Sequence, residues 1–353
     1  MNHGEVSEII ASIKPVEKAS YIAPKTRMDD LTKPPGSLGK LEDIAIKIAA
    51  IQGTDKPEIG KKRIYTLAGD HGVTEEGVSA FPSEVTPQMV MNFLAGGAAI
   101  NVLTRHVGSE IQVADLGVAY DFEEVPGLLP LKVGMGTANF TKGPAMKREA
   151  CLEAVIKGVN LAKQAAKDGV TLLGVGEMGI GNTTSAAALL TLYGGMDPDE
   201  AVGRGTGVDD AGLKRKANAI RRGIEINTPD LRDPIDVLSK LGGYEIAGMT
   251  GVYLGAAACG VPIVADGFIS TSSALVALKL APALADYLFL SHLSLEQGHR
   301  KMIELTGLSP LLELDMRLGE GTGAALAFSI IEGATKILSE MATFAEAGVT
   351  NKD

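Results

Sequence analysis

Apolar runs of strand length alternate with amphipathic stretches along most of the chain. Ile64–Ala68, Ile111–Asp115, Thr171–Gly176, Pro262–Asp266 and Tyr287–Leu290 suit buried parallel strands. Between them, Pro87–His106 (with Thr86 as N-cap), Met146–Lys167, Thr184–Leu192 and Asp209–Ile224 carry helical spacing. Gly96 and Gly97 interrupt the first of these, at about 1 kcal/mol each relative to alanine, which predicts a break or a tight packing contact. This alternation predicts an α/β protein whose mainly parallel sheet has helices on both faces.

The ends of the chain follow another pattern. In "GSLGKLEDIAIKIAAIQG", Leu41, Ile44, Ile48 and Ile51 share one helix face that stops at Gly53, and no strand signal precedes them. Beyond Gly323, Leu326, Ile330, Ala334, Ile337 and Met341 recur at helical intervals. Residues 1–60 and 324–353 are therefore expected to form a small helical domain beside an α/β domain of residues 61–323.

Composition narrows the function. Hydrophobic residues make up 45% and charged residues 22%, as in a globular protein rather than a disordered one. Lys and Arg number 33 against 43 acids, a net charge of −10, which argues against nucleic acid as a partner. The apolar stretch "GVYLGAAACGVPIVADGF" reads as a buried helix and a strand rather than a membrane span. Cys151 and Cys259 are expected to be reduced, buried thiols, and "MNHGEVSEIIASIKP" lacks the apolar core of a signal peptide, so the cytoplasm is the expected location.

Candidate chemistry lies at the strand ends, where open α/β sheets bind ligands. "AGDHG", "ADLG", "GVGEMGIGNTT", "ADGF" and "LSHLS" all follow apolar runs. Gly174, Gly176 and Gly179 match G-x-G-x-x-G, but the acid that a dinucleotide site needs at the next strand end is missing; Asp197 and Asp199 read as turn residues. Two readings of the loop remain, a phosphate cradle at a helix N-terminus with Thr183 and Thr184, or a tight turn capped by Asn182 or Thr183. Asp209 and Asp210 suit a helix start better than a magnesium site, and Lys216 is either an anion ligand or a solvated lysine. The five histidines lack metal-ligand spacing, so no metal is expected, and His71 beside Asp70 reads as a structural pair. "RLGEGTGAALA" places one carboxylate, Glu320, among glycines at a helix start, where it either caps the helix or faces a pocket.

Seven ordered segments, "KPPGSLGKLE", "AGDHGV", "EVTPQMVMNFL", "GVGEMGIGNTT", "DVLSKLGGYEIAGMTG", "DGFIS" and "MRLGEGTGAALA", resemble the nicotinate-nucleotide–dimethylbenzimidazole phosphoribosyltransferase family over nearly the whole chain. The resemblance implies a homodimer with a Rossmann-like parallel sheet and a small helical domain from both termini. It implies transfer of ribose 5-phosphate from nicotinate mononucleotide to 5,6-dimethylbenzimidazole with inversion at C1′, with no cofactor. By the same resemblance Glu320 is the general base. Gly176, Glu177, Met178, Gly179, Gly181, Asn182 and Thr183 form the nucleotide-phosphate loop, helped by Lys216 and by Ser291 and Ser294 of "SHLS". Phe81, Met89, Met178 and Leu318, with Gln88 close by, form the base pocket. Glu177 is a second acid, for ribose hydroxyls, as a weaker base, or simply as a helix cap. A nicotinamide-dependent oxidoreductase or a non-catalytic nucleotide-binding protein would use the same glycines without depending on Glu320.

Overall fold

The computed structural model describes residues 2–350. Seven strands form one sheet in the order β3-β2-β1-β4-β5-β6-β7: β1 (Lys61–Gly69), β2 (Glu110–Gly117), β3 (Leu128–Pro130), β4 (Val170–Met178), β5 (Ile263–Ala265), β6 (Leu288–His292) and β7 (Pro310–Leu312). Every neighbouring pair is parallel. The fold is α/β and Rossmann-like. The five expected strands are all present. The two that were not expected, β3 and β7, are three-residue edge strands that each contain a proline, a residue tolerated at sheet edges and invisible to a search for apolar runs.

β1 shows why the strands carry apolar residues on both faces. Ile64 and Ala68 enter the core on one face of the sheet, and Tyr65 and Leu67 enter the core on the other. On the first face lie helices Val85–Ala95, Ala99–His106, Lys40–Gln52 and Thr322–Glu340. The last two pack on each other, and the C-terminal one also rests on the sheet. Val6, Ile9 and Ile13 of the N-terminal helix Asn2–Ser12 belong to the opposite core.

On that second face, helices Arg148–Lys167 and Tyr244–Ala258 make the most intimate helix pair. A Cβ at Gly158 would sit 1.9 Å from the Gly248 carbonyl oxygen, and one at Gly251 would sit 1.9 Å from that of Val155. The Gly/Ala-rich run is therefore the contact surface of a buried helix, and among the described residues no helix is long and apolar enough to cross a membrane.

Three local expectations are corrected. The stretch Pro87–His106 is two helices, because Gly96 takes a left-handed φ of 78° and closes the first with bonds to Asn92 and Phe93 carbonyls. Thr86 is not the N-cap; Glu84 holds that position, and Thr86 is buried with its Oγ1 accepting the Ile180 N–H at 3.1 Å. Cys259 is exposed at the end of Tyr244–Ala258, whereas Cys151 is buried as expected; both thiols are free.

Because all strands are parallel, the chain leaves β1, β4, β5 and β6 at the same edge. Connections from β1 run one way along the sheet and those from β4 the other, so the crevice at their junction is the natural ligand position.

Candidate active site

A cavity of about 330 Å³ opens at that edge. Its wall combines the ends of β4, β5 and β6, the loop before Thr322–Glu340, and helix Val85–Ala95. Glu320 stands in a turn of three consecutive left-handed residues, with φ of 90° at Gly319, 66° at Glu320 and 100° at Gly321. A glutamate in that region costs roughly 1–2 kcal/mol, a strain that persists only where surroundings enforce it. Here Asp266, at the end of β5, accepts N–H bonds from Gly321 at 2.9 Å, Gly323 at 2.7 Å and Ala324 at 3.3 Å. Thr66 Oγ1 donates to the Glu320 carbonyl at 2.8 Å. Gly176 lets the turn lie directly on β4, since a Cβ there would fall 2.1 Å from the Gly321 nitrogen.

Asp266, not Glu320, caps the helix, which frees the Glu320 carboxyl for the cavity. Glu320 is 6% exposed, with one long bond from the Ile100 N–H at 3.4 Å. Burial raises its pKa, and the Asp266 charge adds to the rise. Glu177 faces the same cavity from the end of β4, and Asn182 Nδ2 donates to it. Burial pushes Glu177 up to about 8, reinforced by Glu245, Asp266 and Glu320. Asp266 is likewise pushed by burial to about 7, against the pull of its N–H donors. Both carboxyls of the pocket, Glu177 and Glu320, hold their protons more tightly than free glutamate, chiefly because of burial.

The helix start in the same cavity suits an anion. Helix Asn182–Gly194 begins at Gly181, φ 96°, with no side-chain cap, so its positive end is left to the cavity. This settles the capping alternative, because Asn182 turns to Glu177 and Thr183 Oγ1 accepts from Lys216 Nζ at 2.9 Å. Lys216 is 2% exposed rather than solvated, and burial lowers its pKa to about 8. Gly205, Thr206, Ser294 and Arg317 also line the cavity. The rim is apolar: Phe81 is 52% and Leu318 57% exposed, above half-buried Met89 and Met178.

Of the residues singled out in the sequence, Phe81, Met89, Glu177, Met178, Gly179, Asn182, Thr183, Ser294, Leu318 and Glu320 line one cavity. Gly176 and Gly181 shape it from beneath, and Lys216 stands behind Thr183. Ser291 and Gln88 are not on the wall. Ser291 Oγ donates to the Asp266 carbonyl at 2.7 Å, and Gln88 is exposed on Val85–Ala95.

The chain matches known proteins along nearly its whole length. A family model described as Phosphoribosyltransferase covers residues 13–349. The chain belongs to that family. It is 52% identical over 348 residues, 99% of each chain, to the nicotinate-nucleotide–dimethylbenzimidazole phosphoribosyltransferase of Geobacter sulfurreducens. With the enzyme of the same name from Chlorobaculum tepidum it shares 53% over 346 residues, 98% of each. The crystal structure of CobT from Thermus thermophilus superposes with a TM-score of 0.91 at 48% identity, covering 95% of this chain and 100% of that one.

Several groups of this phosphoribosyltransferase's cavity were not singled out beforehand: Thr206, Phe268, His292, Glu296 and Arg317 on the wall, and Asp266 beneath it. His292, Glu296 and Arg317 each lie within three positions of a residue that was, but their polar identity alone does not separate them from surface residues. His71 pairs not with Asp70 but with Glu245 at 2.7 Å and Ser185 at 3.0 Å, far inside the core. Asp209 caps helix Asp210–Asn227 through the Gly212 N–H at 2.8 Å, as a helix-start acid should. Among the described residues no group of three or more His, Cys, Asp or Glu is placed to hold a metal ion.

Proposed function

We propose that this phosphoribosyltransferase moves ribose 5-phosphate from nicotinate mononucleotide to 5,6-dimethylbenzimidazole, giving α-ribazole 5′-phosphate and nicotinate. The observation that carries the reading is the single cavity lined by Glu320, held in an enforced left-handed turn, and by the uncapped start of helix Asn182–Gly194, with Lys216 behind Thr183. The phosphate lies at the start of Asn182–Gly194, near Thr183, Gly205, Ser294 and Arg317, and the flat base enters past Phe81, Met89, Met178 and Leu318.

The chemistry asks little more. As the bond from C1′ to the nicotinate nitrogen breaks, its electron pair neutralises the pyridinium, so departure needs no proton donor. The lone pair of one benzimidazole nitrogen forms the new bond from the opposite ribose face, which inverts C1′. The ring stays neutral because its other N–H gives its proton to the Glu320 carboxylate, help worth ~10²–10⁴ in rate. Glu177, whose proton is held by burial, donates to or orders the sugar. Anchoring the phosphate fixes the ribose between leaving group and acceptor. We place the enzyme in the cytoplasm, working as a homodimer; sedimentation of the purified chain at the mass of one copy would remove the dimer.

The deciding experiment compares wild type with Glu320→Gln, following nicotinate release and α-ribotide formation. Wild-type turnover with a loss of roughly 10²–10⁴ in the variant is expected. Equal rates would move the proton acceptor to Glu177, and an inactive wild type would remove this acceptor base.

A further inference from the structure

His292 ends β6 and lines the cavity, yet is only 1% exposed. Two glycines hold its ring in place: a Cβ at Gly323 would fall 2.1 Å from Nδ1, and one at Gly267 would fall 3.4 Å from Cε1. The neighbouring hydrogen bonds determine its tautomer. Ser291 Oγ spends its one proton on the Asp266 carbonyl at 2.7 Å, so across the 2.9 Å contact with His292 it can only accept. The proton is therefore on Nδ1, which also lies 3.9 Å from Asp266 Oδ1. Nε2 is left with a bare lone pair, buried and without a partner among the described residues. Burial lowers the His292 pKa to about 4, so the ring is neutral. The adjacent His299 is the contrast: its Nδ1 accepts from the Ser294 N–H at 2.8 Å and its Nε2 meets Thr271 Oγ1 at 3.0 Å.

A buried acceptor with no donor is costly and calls for an occupant that donates. On the phosphoribosyl-transfer reading, on which this inference rests, the nicotinate carboxylate and the phosphate offer mainly acceptors. The benzimidazole N–H is taken by Glu320. The remaining donors are the ribose hydroxyls. We infer that His292 Nε2 accepts a hydrogen bond from a ribose hydroxyl of the nucleotide and so makes this site select ribonucleotides over deoxyribonucleotides. A site built to bond a hydroxyl discriminates strongly against the analogue lacking it, because the buried acceptor is left unpaired.

The test crosses enzyme and substrate changes. Wild type, His292→Ala and His292→Asn are assayed with nicotinate mononucleotide and its 2′-deoxy and 3′-deoxy analogues, and nucleotide binding is measured by calorimetry. Wild type should lose roughly tenfold or more in kcat/KM with one of the two analogues, the effect of one hydrogen bond. His292→Ala should lose a similar factor with the ribonucleotide but suffer no further loss with that analogue. His292→Asn, whose carbonyl can accept, should recover part of the discrimination. Indifference of wild type to both analogues would overturn the inference, and so would a deoxy penalty that His292→Ala leaves intact. If the alanine variant does not fold, the asparagine variant and the wild-type comparison still decide. Ribonucleotide preference in binding without turnover would spare His292 and sink the transfer reading; turnover without preference would do the reverse.

Discussion

Two glycine-rich segments of this chain look alike in composition and do opposite work. In Tyr244–Ala258, glycine serves space. Gly251 lies in ordinary helix, and a methyl there would collide with the Val155 backbone, so its role is to let two helices touch. In the turn before Thr322–Glu340, glycine serves conformation. Gly319 and Gly321 flank Glu320 in left-handed backbone, and the energy goes into aiming one carboxyl. The helix crossing is closely packed and buried. The turn is strained, and it gathers Glu177, Asp266 and Glu320, three buried acids whose pKa values are all raised. The difference teaches that stability is stored in one region and drawn on in the other.

Glu320→Gln should separate the two most sharply, costing ~2.7–5.4 kcal/mol of barrier with melting temperature little changed. A comparable fall in melting temperature would mean the carboxyl is structural. Gly251→Ala is the converse. Forcing the helices apart should cost about 1–3 kcal/mol of stability, read by denaturant unfolding, while the folded fraction keeps its kcat. Gly319→Ala comes next. It adds left-handed strain of roughly 1–2 kcal/mol and a Cβ 2.4 Å from Glu177 Oε1, so kcat should fall more than stability does.

The mildest perturbation is pH. Each of the three acids binds its proton more tightly folded than unfolded. Their contribution to stability is therefore full below the ordinary carboxylate range and is lost as pH rises, through about 7 for Asp266 and about 8 for Glu177. Melting temperature should decline over that window, and Glu177→Gln, which still accepts from Asn182, should flatten the decline. An unchanged slope would show that Glu177 is not buried with its proton.

Much of this was legible in the chain itself. Apolar runs marked the five strands of the sheet's interior, β1, β2, β4, β5 and β6, because a strand buried on both faces needs apolar residues on both. Glycines around Glu320 announced a turn that ordinary residues would not make. Lys216 and Thr183 were both named, though not as a pair. The short edge strands escaped notice because each is three residues long and includes a proline that breaks the apolar run.

What no local pattern contains is which side chains meet. The Asp266 carboxylate, at the end of β5, holds the turn of Glu320, in a loop beyond β7, by accepting from the Gly321 and Gly323 N–H groups, and only the parallel sheet brings those ends together. Asp266 rather than Glu320 caps the helix, Thr86 holds a loop instead of a helix start, and His71 turns to Glu245 instead of Asp70. The lone pair of His292 follows from a serine proton already committed elsewhere. Backbone conformation is set by neighbours in the chain, so glycines and apolar runs reveal it. Partners, burial and proton affinity are set by neighbours in space, and those exist only once the sheet has formed.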